Sequence, residues 1–187
     1  MASGQRGLWM SWLGLAVVVL AQLPADGAAQ LQKVDRMMPA LRRMATDPEV
    51  VAAVRAQNAR RVPLATIQEQ DAAWQATPQL TAFKQQVLGS ACSRVLNRHR
   101  ARLGIAVAEA FAMDDQGALV GATRRTSDFW QGDEAKFQVP YARGETLREK
   151  PFFDESSQAY VIQLSLPVRD GDRTIGALTI GLSLLDL

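Results

Sequence analysis

The spacing of apolar residues changes at Gly104, and that change limits the fold of this 187-residue chain more than any other feature. Before Gly104, apolar residues recur every three to four positions, which puts them on one face of a helix. In 30–45 (QLQKVDRMMPALRRMA) the stripe is Leu31, Val34, Met38, Leu41 and Met44, and Pro39 predicts a kink or a late start. Thr46-Asp47-Pro48-Glu49 reads as a helix start: Asp47 can cap, proline suits the first turn, and glutamate favours the positive end. That helix is expected to reach about Asn58. Pro63 and Thr66 open a short helix through Trp74. Thr77-Pro78 opens a long one over Gln79–Leu103, burying Leu80, Phe83, Val87, Ala91 and Val95, with Gly104 ending it.

Beyond Gly104 the period drops towards two. Ile105–Met113 reads as a strand, Asp114-Asp115-Gln116-Gly117 as a turn, and Ala118–Arg124 as the returning strand. Ala135–Arg143 can form a short helix closed at Gly144. Tyr160–Arg169 then sets Tyr160, Ile162, Leu164, Leu166 and Val168 against Val161, Gln163 and Ser165. Asp170-Gly171-Asp172 turns the chain into Thr174–Leu184. Two hairpins joined by a helical crossover, after a run of helices, make an α+β domain around an antiparallel sheet.

Charge narrows the partners. Lysine and arginine number 21 against 19 aspartate and glutamate, a net of +2, too small an excess to point to nucleic acid. The basic run Arg94, Arg98, His99, Arg100 and Arg102 has no interleaved aromatics and suits a helix C-terminus, so no nucleic-acid partner is expected. At the N-terminus, Arg6 precedes the apolar run Leu8–Leu23, then Pro24 and the small residues ADGAA. The run is shorter than a spanning helix needs, and the pattern is that of a signal peptide cut near Gly27–Ala29. The expectation is an exported, periplasmic protein, with an uncut membrane anchor as the alternative. The single cysteine, Cys92, lies at helical spacing with Leu88 and Leu96 and reads as a small buried hydrophobe.

Catalytic chemistry finds little support. His99 is the only histidine and sits in a run of arginines; there is no G-x-S-x-G elbow or H-E-x-x-H helix. Zinc has too few nitrogen and sulfur ligands, and no C-x-x-C-H haem attachment occurs, so neither metal nor cofactor is expected. A hydrolase built on Asp133 and Glu134 with Asp154 and Glu155 stays as a minor reading. The densest chemistry is in 118–137 (ALVGATRRTSDFWQGDEAKF). Phe129, Trp130, Phe137 and Tyr160 can wall a pocket, and Asp128, Gln131, Lys136 and Gln158 can hydrogen-bond a small solute. Equally, Asp128 can cap the crossover, Trp130 can plug the sheet, and Lys136 can pair with Asp133 or Glu134.

Those residues carry a resemblance. The D-x-x-G turn, TSDFWQGDEAKF, FFDESSQAYVIQLSLPV and the closing D-G-D-x-x-I-G-A-L-T-I-G resemble the extracytoplasmic PDC/Cache sensor domains of bacterial receptors, and more closely the stand-alone exported PDC sensor proteins. The resemblance covers about Leu64 to the end. It divides the chain into a signal segment (1–29), an N-terminal helical region (30–63) and one sensor domain (64–187). It implies a PAS-like antiparallel sheet after long helices, and a non-enzymatic protein binding a small-molecule ligand between sheet and crossover. At the matching positions the implied ligand-binding residues are Asp128, Trp130, Lys136, Asp154 and Tyr160. The R-x-W-Y signature of amino-acid-sensing relatives is missing, so the ligand class stays open. No second membrane helix or signalling domain follows in the sequence, so any signal is expected to pass through a separate membrane-bound protein. The competing expectation is an exported protein-interaction module whose aromatic cluster only packs.

Overall fold

Helix-start chemistry arranges the first half of the molecule, and the computed structural model describes residues 27–155 and 158–187. Helix α1 (Gly27–Ala45) runs through Pro39 without a break. Helix α2 (Pro48–Asn58) begins at Asp47, whose side chain accepts from the Glu49 amide at 2.9 Å. Helix α3 (Leu64–Gln75) follows Pro63. The long helix expected over 79–103 is two helices, α4 (Ala82–Leu88) and α5 (Ala91–Leu103). Ser90 divides them, because its Oγ accepts from the Ser93 amide at 3.1 Å and so starts a new helix after Gly89.

The second half is a sheet. Strand β1 (Val107–Met113) and strand β2 (Leu119–Ala122) form the first hairpin. Its turn is organised by buried Asp114, which accepts from the Gln116 and Ala118 amides, both at 2.9 Å. Gly117, at φ +85°, supplies the left-handed residue that turn requires. Helix α6 (Ala135–Gln138) and a π-helical turn (Val139–Arg143) form the crossover, which ends at Gly144. Two short strands, β3 (Leu147–Arg148) and β4 (Phe152–Asp154), precede the long hairpin of β5 (Ala159–Asp170) and β6 (Arg173–Ser183). Among the described residues the strands make one six-stranded antiparallel sheet, ordered β2-β1-β6-β5-β3, with β4 also pairing with β5. This is the α+β, PAS-like architecture, helices first and sheet second, that the PDC/Cache resemblance implies.

Helices α1, α2 and α5 cover one face of the sheet. Val34, Leu41, Met44, Val50, Val54, Val95 and Leu96 meet Ile162, Leu164, Leu166, Leu178 and Ile180 there in one apolar cluster. Each fully buried aliphatic side chain contributes roughly 1.5–3 kcal/mol of apolar burial. Cys92 belongs to this cluster; burial, and then the nearby Asp47 charge, push its thiol up to about 12, so it packs as an apolar group. Helix α5 lies close on β2 because Gly121 has no side chain: a Cβ there would stand 2.6 Å from the Ser93 nitrogen. The basic run of α5 is engaged internally. Arg98 pairs with Glu49, Arg100 Nε donates to the Val107 carbonyl at 3.0 Å, and His99 Nε2 lies 2.8 Å from Asp47 Oδ2.

A bulge in β1 decides which side chains face the helices. Val107 pairs with Leu182 and Glu109 with Gly181, so two steps on β1 match one on β6. Val107 therefore joins the helix-side core, while Phe111 and Met113 belong to a second cluster with Trp74, Leu119, Phe129 and Phe137. The expected signal segment, Leu8–Leu23, lies outside the described residues. Among the described residues no helix is long and apolar enough to cross a membrane.

Candidate functional site

The face of the sheet turned away from α1 and α2 is also buried, but along β5 and β6 it is polar. Gln163 and Ser165 of β5, Thr179 and Ser183 of β6, and Glu109 of β1 are all buried. They stand at alternate positions opposite the apolar set, as strand geometry demands. Ser165 and Thr179 are paired residues whose hydroxyls lie 2.9 Å apart. Gln163 Nε2 donates to Glu109 Oε1 at 3.3 Å. Gly181, the register partner of both Glu109 and Gln163, makes room for them: a Cβ there would lie 3.0 Å from Glu109 Cγ.

The segment after β2 closes over this row. Thr126 Oγ1 donates to the Asp128 carbonyl at 2.6 Å, and Gln131 Nε2 donates to the same carbonyl at 3.0 Å. Gln131 is thereby held with only 1% of its surface exposed. Lys136 of α6 pairs with Glu134 at 2.9 Å, and its ammonium stands 5.9 Å from the centre of the Phe111 ring. Between segment and sheet lies a cavity of about 30 Å³ bounded by Glu109, Phe111, Thr126, Gln131, Lys136 and Asp154. A shallow outer groove of about 400 Å³ shares Lys136 and is bounded by Glu149, Lys150, Phe152 and Gln163. Two atoms in these walls, Gln131 Oε1 and Gln163 Oε1, are buried without a hydrogen-bond partner. Leaving such an acceptor unmet costs roughly 1–3 kcal/mol.

The five residues expected at the site fall into four places. Lys136 and Asp154 line the same cavity. Asp128 contributes its backbone carbonyl to the Thr126 and Gln131 bonds, while its carboxylate accepts from Ser127 Oγ at 2.6 Å. Trp130 and Tyr160 lie elsewhere. The Trp130 indole N–H donates to the Gln116 carbonyl at 2.7 Å and its amide donates to Asp71 Oδ1 at 3.0 Å, so the ring fastens the segment to the first turn. Tyr160 packs edge-to-face on Phe153, ring centres 5.2 Å apart, on the side of β5 that carries Ile162.

Sequence reasoning passed over Glu109, Gln163, Ser165 and Thr179. Their signal was present, since polar residues at every second position of long strands mark a distinct face. Nothing local says whether that face meets water or protein.

Helices on one face of an antiparallel sheet and a buried polar row on the other make up this α+β fold. Three similar solved structures are sensor or ligand-binding domains. The histidine kinase DctB sensor domain of V. cholerae is 15% identical over 84% of this chain and 52% of that one, with a TM-score of 0.48. The ligand-binding domain of the Campylobacter jejuni chemoreceptor Tlp3, in complex with L-norvaline, is 12% identical over 85% and 61%, with a TM-score of 0.43. That of the Pseudomonas aeruginosa amino acid chemoreceptor PctC, in complex with GABA, is 12% identical over 76% and 62%, with a TM-score of 0.41. The chain thus spans between half and two thirds of the length of these three. No family model and no curated protein matches it by sequence.

Proposed function

We propose that the chain is an exported, non-enzymatic sensor-like domain that binds a small solute on the polar face of its sheet, beneath the 124–138 segment. The observation that carries this reading is the pair of buried, unpartnered amide oxygens, Gln131 Oε1 and Gln163 Oε1, beside a cavity and groove. A packing plug has no use for acceptors that cost stability; a bound solute can satisfy them. In this reading Lys136 and Asp154 contact the solute, Asp128 holds Gln131 in place, and Trp130 holds the covering segment. Tyr160 packs on Phe153 and does not line the cavity or the groove. Any signal passes to a separate membrane-bound partner, and Leu8–Leu23 directs export.

Ligand-dependent stabilisation tests the binding reading, because a solute that prefers the folded state raises its melting temperature by mass action. A dose-dependent rise with one solute class, lost in Gln163→Leu, is the expected result. A folded protein unmoved by amino acids, amines, carboxylates, sugars and purines refutes it and leaves the interaction-module reading. N-terminal sequencing of the protein recovered from periplasm is expected to begin near Ala28–Gln30; an intact Met1 in the membrane fraction refutes the soluble, exported form.

A further inference from the structure

Resting on that reading, we infer that the pocket takes a small primary amine, with its ammonium group in the inner cavity and its carbon body in the outer groove. The orientation of the two glutamines is the starting point. In each, the side-chain nitrogen already faces an acceptor, the Asp128 carbonyl for Gln131 and the Glu109 carboxyl for Gln163. A flipped amide would set oxygen against oxygen, so both carbonyl oxygens are fixed as the atoms left over, and both are buried and unpartnered. The missing partner at each is therefore a donor: Gln131 lines the inner cavity and Gln163 the outer groove, and an amine brings up to three N–H donors to the walls it meets.

The rest of the wall has the same character. Glu109 and Asp154 bring carboxyl groups to the inner cavity, and the Thr126 hydroxyl spends its proton on the Asp128 carbonyl, leaving its lone pairs. Among the described residues the cation lining the inner cavity is Lys136, already matched by Glu134 at 2.9 Å, and the outer groove adds Lys150 together with Glu149. A carboxylate solute would bring no donor and leave both amide oxygens unsatisfied. Size agrees with charge: about 30 Å³ admits a group no larger than a water or an ammonium. Phe152 offers the outer groove an apolar surface for a short carbon chain.

The test uses matched skeletons. Propylamine and 1,4-diaminobutane are compared with propionate, succinate and 1-propanol by thermal shift and calorimetry. The amines are expected to stabilise the protein in a dose-dependent way, and the acids and the alcohol to leave it unmoved. Gln163→Leu and Gln131→Leu, checked for fold by circular dichroism, are each expected to weaken amine binding about tenfold or more, the loss of a hydrogen bond to a charged group. Lys136→Met, which removes positive charge from the wall, is expected to strengthen it. Binding of propionate or succinate but not the amines, abolished in Lys136→Met, overturns the ammonium inference and leaves the binding site standing. Silence with all five probes also overturns it, and a wider solute screen then decides whether the site itself survives.

Discussion

The two faces of the β5–β6 hairpin are buried to the same degree and made of opposite materials. Towards the helices stand Ile162, Leu164, Leu166, Leu178 and Ile180; towards the crossover stand Gln163, Ser165 and Thr179. The first face holds the domain together, since each of its side chains leaves water for a closely packed apolar interior. The second contributes far less, because its hydroxyls and amides exchange bonds with water for bonds with protein, a net gain of only about 1 kcal/mol each. A chain selected for stability alone would place leucine on both. The polar face is thus the region where stability is given up, and such regions are where binding is found.

The largest effect is expected where the apolar face is broken. Leu164→Ala leaves a cavity in the helix-side core and should cost about 2–5 kcal/mol in urea denaturation, enough to threaten folding. Trp130→Ala comes next: it removes the bond to the Gln116 carbonyl that pins the covering segment, so proteolysis should open 124–138 while the β5–β6 hairpin keeps its amide protection. Asp47→Ala, on the helical side, should cost about 1 kcal/mol at neutral pH, the usual value of a lost N-cap. Its pH dependence has a definite sign. Burial raises the Asp47 pKa, but the hydrogen bond and charge of His99 and the Glu49 amide outweigh it, so the folded value lies below 3.8. The stabilisation is therefore complete above 3.8 and is lost as pH falls through the folded value, and the gap between wild type and Asp47→Ala should close in acid. The smallest effect is expected on the polar face. Ser165→Ala with Thr179→Val removes both hydroxyls of one pair together, and chemical denaturation should move by less than about 1 kcal/mol. A loss of several kcal/mol in that double variant would show that the two faces do not differ as described.

Much of the fold was legible in the sequence because its signals are local. Asp47-Pro48 marks a helix start with atoms only two residues apart, and the DDQG turn closes through Asp114 and Gly117 in the same way. The break between α4 and α5 was missed because a continuous apolar stripe outweighed the Gly89-Ser90 signal, although Ser90 is a good cap. Strands β3 and β4 have two and three residues and show no alternation; they exist because the edge of β5 that does not face β6 offers them a ladder. The bulge at Val107–Glu109 is likewise set by the partner, and it reverses the face that simple alternation gives to Val107. Lys136 and Asp154, which line one cavity, belong to motifs visible in the sequence, whereas Glu109, Gln163 and Thr179 come from three strands and meet only through the register of the sheet.

The edges of that sheet have a consequence for how the protein behaves in a crowded compartment. Along β2 the outward-facing backbone is already occupied: Gln57 Nε2 donates to the Leu119 carbonyl, Ser90 Oγ to the Val120 carbonyl, and the Ala122 amide donates to Ser93 Oγ. The opposite border consists of the short strands β3 and β4, separated by Pro151 and flanked by Arg148 and Lys150. An incoming chain seeking to extend the sheet finds side chains in the way on one border and too little ladder on the other. The domain is thereby protected from fibrillation by its own ends, and its solubility at high concentration should depend on Gln57, Ser90 and Ser93 as much as on surface charge.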